Sequence, residues 1–322
     1  MPFPSPHQKA VLKKMSLTID LKRLLIFLGF AFLISWGTAL MIFLTGGLEN
    51  SPSLRIENAS ISLATLLLAT GYMFGPALAN IFTRLITKEG FSDLHLKPNF
   101  DGGRWRYYLI AWFLPGILVI LGMACFFLLM PKYYDPELTT LIDQISAASK
   151  TPGLSPWAII FIQTLQALFF APVLNALSTF GEEFGWRGYL QPKLMPLGPR
   201  KAILLTGLIW GLWHAPIILM GYNYGLDYWG APFLGPIAMI WFTMTVGTLL
   251  GWMTLKTGCL WPAVIGHGAL NGIAALGLLL TRNNPSTLLG PTPVGLIGGI
   301  GFTLMAVLIL LIPKGLREIE FK

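Results

Sequence analysis

Charge is what this sequence has least of. Lys, Arg, Asp and Glu make up 11% of its 322 residues, against roughly a quarter in soluble globular chains. With a mean hydropathy of +0.67, that scarcity excludes an ordinary soluble domain. Cysteine is nearly absent: Cys125 and Cys259 are single, apolar-flanked and far apart. They exclude a disulfide framework and read as buried thiols without a metal role. No H-E-x-x-H occurs, so this is not a zincin of the usual kind. No G-x-S-x-G occurs either, and Ser178 is the only serine near the polar motifs, which argues against a serine nucleophile. No Asp falls inside a long apolar run, which excludes an intramembrane aspartyl pair. Low-complexity tracts are missing, as is an inverted repeat of the kind transporters use.

What is present is apolar length. Runs of about 20 residues, enough to cross a bilayer as helices, recur at 24–44, 61–82, 107–130, 157–179, 202–220, 233–255, 260–280 and 294–312. The pattern predicts an all-α polytopic membrane protein, a bundle of about eight transmembrane helices. The first run is longer than the h-region of a signal peptide and no A-x-A-like site follows it, so it reads as a retained span. The longest hydrophilic connections, 83–106 and 131–156, read as loops. The expected organisation is a basic N-terminal segment 1–23, one membrane-embedded domain 24–317 with a polar core at 157–280, and a short tail 318–322.

Eight spans place alternate connections on opposite sides. Of the 22 Lys and Arg residues, only Arg55, Lys132, Lys150 and Arg282 fall on the second side. The positive-inside rule then puts both termini in the cytoplasm. Losing or adding one span would scramble this division. The net charge of +8 is therefore a topological signal and implies anionic lipid heads as partners rather than nucleic acid. A plasma membrane is the expected location.

Charges inside a bilayer are costly, about 2.5–3.5 kcal/mol each at a helix centre, and usually face the bundle interior. Three groups stand in or beside the runs: "GEEFGWR" (Glu182, Glu183, Arg187), "WGLWHAP" (Trp210, His214) and "GHGALNG" (His267, Asn271). Glu183 and Arg187 are i,i+4 and can pair on one face. Glu182 is turned by about 100° from Glu183, so Arg187 cannot serve both. His267 and Asn271 also share a stripe, Trp210 stands one turn before His214 and can wall it off, and Gly268 with Gly272 allows close helix approach. Taken singly, each group also suits a structural role: an interfacial ion pair, a core histidine, interhelical hydrogen-bond glue. Taken together, a spare carboxylate, two imidazoles and a carboxamide are the inventory for activating water and stabilising an oxyanion.

E-E-x-x-x-R, then aromatic-x-x-x-H, then H-x-x-x-N, in that order on consecutive apolar segments, resembles the CPBP or Abi family. That family holds the type II CAAX prenyl endopeptidases together with bacteriocin-processing and self-immunity proteins. The resemblance covers roughly 157–280 and departs at Trp210, where the family usually has Phe. It implies intramembrane peptide hydrolysis, with Glu182 as general base beside His214, Glu183 and Arg187 as supporting pair, and His267 and Asn271 as oxyanion donors. The implied substrate is a peptide or protein, with a prenylated one among the candidates. A zinc version would use Glu182, His214 and His267 as ligands; the preferred reading requires no cofactor, because Asn271 suits an oxyanion donor better than a ligand. The rival class is a non-catalytic scaffold, immunity protein or transporter built on the same cluster.

Overall fold

The computed structural model describes residues 19–56, 59–147, 153–312 and 316. The N-terminal segment before Ile19 and the tail 318–322 lie outside the described residues. All eight apolar runs carry helix. In chain order the elements are α1 (Leu21–Leu44), strands β1 (Ser53–Ile56) and β2 (Ala59–Ser62), α2 (Leu63–Thr87), α3 (Trp105–Leu129) and α4 (Thr139–Ala147). The fourth run becomes α5 (Pro156–Phe169), α6 (Ala171–Leu174) and α7 (Ala176–Gly185). A π-type turn at Trp186–Leu190 leads into α8 (Gln191–Leu194). Then come α9 (Pro199–Trp213), α10 (Ala215–Leu219), α11 (Leu234–Thr257), α12 (Trp261–Ile273), α13 (Leu276–Leu279) and α14 (Ile300–Leu311).

Five of these helical stretches are long and apolar enough to cross a membrane: Leu21–Leu44, Leu63–Thr87, Asp101–Leu129, Leu234–Thr257 and Trp261–Leu279. The protein is an integral membrane protein with an all-α bundle. Leu33, Leu128, Leu177 and Leu304 stand exposed on its flanks, as expected where the solvent is lipid.

The departures from uninterrupted spans have local causes. Pro172 has no N–H and clashes with the carbonyl four residues back, so the run 157–179 is broken. The freed Leu168 carbonyl accepts the Trp112 indole N–H at 2.9 Å. Pro216 follows the break of 202–220 at His214. In 294–312 helix begins only at Ile300, after a turn in which Gly298 lies so close to the Thr292 carbonyl that a Cβ would stand 2.1 Å from it. Within the loop expected at 131–156 Asp135 nucleates α4, accepting from the amide and hydroxyl of Thr139 at 2.8 and 2.5 Å. The β1–β2 hairpin between α1 and α2 is a further element the all-α reading did not include. Cys259 is buried as expected, but Cys125 is only half-buried.

Packing relies on small residues. On α1, Ser35 and Thr38 face Gly75 and Gly71 of α2, where added Cβ atoms would stand 2.0 and 2.8 Å from their hydroxyls. Ser35 Oγ donates to the Tyr72 carbonyl at 2.9 Å, the group that Pro76 leaves without its helical partner. Gly207 and Gly211 of α9 meet α11 in the same way, against Met244 and Ile240. Without a hydrophobic drive between helices in lipid, this close approach is what holds the bundle. The core centres on Phe27, Tyr72, Trp186, Tyr189, Trp210 and Trp213, all buried.

Hydrogen bonds tie the connections into two opposite ends. At one end Leu260 N bonds the His95 carbonyl, Trp261 bonds the Leu96 carbonyl, Arg200 bonds the Leu310 carbonyl, and Lys193 and Arg23 pair with Glu89. At the other, Asp135 N bonds the Leu280 carbonyl, Arg282 N bonds Tyr133, and Tyr224 bonds Val294.

Candidate active site

The site begins with the way α7 is pressed onto α2. A Cβ at Gly181 would lie 2.8 Å from the Met73 carbonyl, and one at Gly185 2.4 Å from the Pro76 ring. This Gly-x-x-x-Gly pair encloses both glutamates and was not singled out in the sequence, although its spacing is plain there. Asn80 Nδ2 fixes the contact by donating to the Phe184 carbonyl at 2.8 Å. With the backbone so held, Glu182 and Glu183 leave α7 on different faces, both buried.

Glu183 has two partners on one oxygen. Arg187 Nη1 donates to its Oε1 at 2.9 Å and stands 2.9 Å from Oε2, the i,i+4 pair that spacing predicts. His267 Nδ1 lies 2.9 Å from the same Oε1. Because a carboxylate only accepts, Nδ1 carries the proton. The Arg187 guanidinium also rests 4.5 Å from the Trp210 ring centre, a cation–π contact.

Glu182 is held by one oxygen. Trp210 Nε1 donates to its Oε2 at 2.7 Å, and among the described residues nothing hydrogen-bonds to Oε1. Trp210 therefore does more than wall off His214, from which its ring centre lies 5.8 Å away. Its carbonyl also lies 2.8 Å from His214 Nδ1, which puts the His214 proton on that nitrogen and turns a neutral Nε2 into an acceptor. The helix break behind His214 is pinned by the Trp213 carbonyl, which accepts from Tyr72 Oη at 2.5 Å and Trp36 Nε1 at 3.1 Å.

Glu182, Trp210, His214, His267 and Asn271 line one cavity of about 440 Å³. The expectation that the four chemistry-bearing side chains surround a common space is met, and neither histidine is turned to lipid. Glu183 and Arg187 lie behind this wall. Gly268 and Gly272 pack on Pro172 and Ala171 of α6, so close approach places α12. Tyr72 and Tyr222 also line the cavity and were missed; a hydroxyl in the apolar run "TGYMFGP" was the available signal for Tyr72. Ser178 lines it too, but its hydroxyl donates to the Asn175 carbonyl at 3.0 Å and faces no base. Among the described residues no three His, Cys, Asp or Glu side chains are gathered as a metal-ligand set. Glu182, His214 and His267 do not fit one as placed, and no step below runs through a metal.

Comparison with known proteins agrees with the motifs. The family model described as type II CAAX prenyl endopeptidase Rce1-like matches residues 154–273. Over 107 residues the chain is 33% identical to CAAX prenyl protease 2 of Methanococcus maripaludis, a match covering 32% of this chain and 39% of that protein. The chain thus spans well under half of the curated relative it matches. Across residues 154–273, and so across all three polar motifs, this membrane protein is similar to the Rce1-like type II CAAX prenyl endopeptidases.

Proposed function

We propose that this protein is an intramembrane endopeptidase in which Glu182 acts as general base on a water shared with His214. The observation that carries the reading is the division of labour between the two glutamates: Glu183 is consumed by Arg187 and His267, while Glu182 presents a free oxygen to a cavity. A water there donates one hydrogen to Glu182 Oε1 and the other to His214 Nε2, which leaves its lone pair for the substrate carbonyl carbon. Attack forms the C–O bond as Glu182 takes the proton. The amide C–N bond then breaks as Glu182 returns that proton to the leaving nitrogen. Hydroxyl thus ends on the acyl product and hydrogen on the amine, as hydrolysis requires.

His267 and Asn271 are the candidate oxyanion partners, and they differ. Asn271 Nδ2 donates in any state. His267 spends Nδ1 on Glu183, so it donates through Nε2 only as the imidazolium, a cation that Glu183 partners at 2.9 Å. Glu183 in this reading is a positioning residue. A transporter would need a path through the bundle, whereas Leu190, Leu250 and Val264, on the far side of the glutamates, are buried; this supports hydrolysis over transport. The test is peptide hydrolysis by purified protein with and without Glu182→Gln. Loss of hydrolysis on a folded background supports the base; retained hydrolysis removes it.

A further inference from the structure

The end of the bundle where α3 begins and α11 finishes carries most of the Lys and Arg residues, and the positive-inside rule makes it cytoplasmic. Three of those cations meet at one seam between the two helices. Arg104 and Arg106 stand at the start of α3, and Lys256 lies in the last turn of α11. An aromatic pair sets them side by side. The Tyr107 and Trp252 rings meet edge to face with centres 5.3 Å apart. The Arg106 guanidinium lies 5.3 Å from the Tyr107 ring centre, and Lys256 stands one turn beyond Trp252 on the same face of α11. Arg106 and Lys256 are thus near enough for their charges to interact.

Elsewhere at this end cations are matched by carboxylates: Arg23 and Lys193 pair with Glu89, and Arg84 pairs with Asp93. Among the described residues no carboxylate forms an ion pair with Arg104 or Arg106. Arg104 Nη1 donates to the Asp101 carbonyl at 3.2 Å, and its Nε is buried without a hydrogen-bond partner. Like charges held together over apolar rings repel, and an anion between them removes that cost.

The neighbouring face of α3 says which kind of anion fits. Trp105, Leu109, Phe113, Ile117 and Leu121 recur at every fourth residue and are all exposed, forming one ridge about 24 Å long at 1.5 Å per residue. Phe100, also exposed, stands with Trp105 at the level where aromatic side chains meet lipid headgroups. A soluble anion would answer the charge and leave the ridge uncovered; an uncharged lipid would do the reverse. Basic seams between helices on the cytoplasmic side are suited to acidic headgroups.

We propose that the seam between α3 and α11 binds an anionic phospholipid of the cytoplasmic leaflet, its phosphate held by Arg104, Arg106 and Lys256 and an acyl chain laid along the exposed ridge of α3. The same two helices seat the catalytic wall. Gly266, beside His267 on α12, packs against Ala111 of α3 and against Leu250 and Met253 of α11. A lipid that clamps α3 to α11 therefore also steadies the helix that carries His267 and Asn271. The binding site itself does not depend on the peptidase reading.

The test uses the purified full chain in an uncharged detergent. The probe is phosphatidylglycerol, set beside phosphatidylcholine with the same acyl chains and beside glycerol 3-phosphate. Phosphatidylglycerol is expected to raise the thermal midpoint and to remain bound in native mass spectrometry. Arg106→Gln combined with Lys256→Gln should weaken that binding by roughly 30-fold, a factor of about five for each charge. Lys132→Gln, at the opposite end, should leave it unchanged. An equal response to phosphatidylcholine, or unchanged phosphatidylglycerol binding in the double variant, overturns the proposal. A response to glycerol 3-phosphate as large as that to the lipid makes the ligand a soluble anion and overturns the lipid assignment. A second measurement needs no variant: phosphatidylglycerol with a photoreactive headgroup should cross-link to peptides that contain Trp105 or Lys256. Cross-links confined to other peptides overturn the site.

Discussion

The wall of the cavity and the layer behind it are built from the same residue types and differ in what is left unpaired. Behind the wall, Glu183 is shared between Arg187 and His267, with both side chains of the ion pair fully buried. On the wall, Glu182 has one oxygen tied by Trp210, and His214 has one nitrogen tied by the Trp210 carbonyl. Two carboxylates adjacent in sequence thus come to opposite ends, one closed by partners and one kept open. A buried charge without its partner is expensive, so the closed layer supplies stability and the open wall supplies chemistry.

The sharpest way to break that contrast is to change the closed side. Glu183→Gln leaves Arg187 without its counter-charge and is expected to destabilise the fold by about 3–5 kcal/mol, read as a lowered thermal midpoint in detergent, with activity falling alongside. A midpoint unchanged from the parent protein would show that the pair is not structural.

Trp210→Phe comes next. It keeps the aromatic wall and deletes the N–H on Glu182 Oε2, a hydrogen bond to a carboxylate of the kind worth about 1.5–3 kcal/mol. Hydrolysis is expected to drop roughly 10- to 100-fold through kcat, with little change in KM; an unchanged kcat would return Trp210 to a packing role.

Gly185→Ala tests the seat of both carboxylates from the α2 side. The added Cβ meets Pro76 at 2.4 Å, and an overpacking cost of about 1–3 kcal/mol is expected. Gly29, where an added Cβ meets nothing within 4 Å, is the control position: Gly29→Ala should leave the thermal midpoint where it is.

The smallest effect lies outside the membrane. Hydrogen bonds from the Thr139 hydroxyl, followed by those from the Thr139 and Glu137 amides, hold the Asp135 carboxyl below its usual range against the opposing effect of burial. A depressed carboxyl contributes stability that is fully present above the ordinary carboxylate pKa of about 3.9 and is lost as pH falls below it. Thr139→Val should therefore lower the thermal midpoint at neutral pH and flatten its fall in acid. Equal slopes in the two proteins would contradict this role.

Much of this arrangement is legible in the sequence wherever a single helix carries it. Apolar length marks all eight segments, and i,i+4 spacing pairs Glu183 with Arg187. Contacts between helices are not encoded by spacing. The His267–Glu183 bond joins residues 84 apart and the Trp210–Glu182 bond residues 28 apart, so the use of His267 Nδ1 and the donor role of Trp210 emerge only from packing. Tyr72 escaped notice because α2 carries no motif, although its hydroxyl helps pin the helix break at His214. The breaks themselves follow from Pro172 and Pro216, which hydropathy does not weigh as it does length.

The measurement closest to the central claim is the hydrolysis rate of purified Glu182→Gln beside its thermal midpoint. Removing a carboxylate that has only one hydrogen-bond partner and no basic partner should leave the midpoint at or above that of the parent protein. The rate should fall by about 10²–10⁴, the usual contribution of a positioned general base. Parent-like hydrolysis in that variant, with the midpoint intact, would contradict the assignment of the open carboxylate to catalysis.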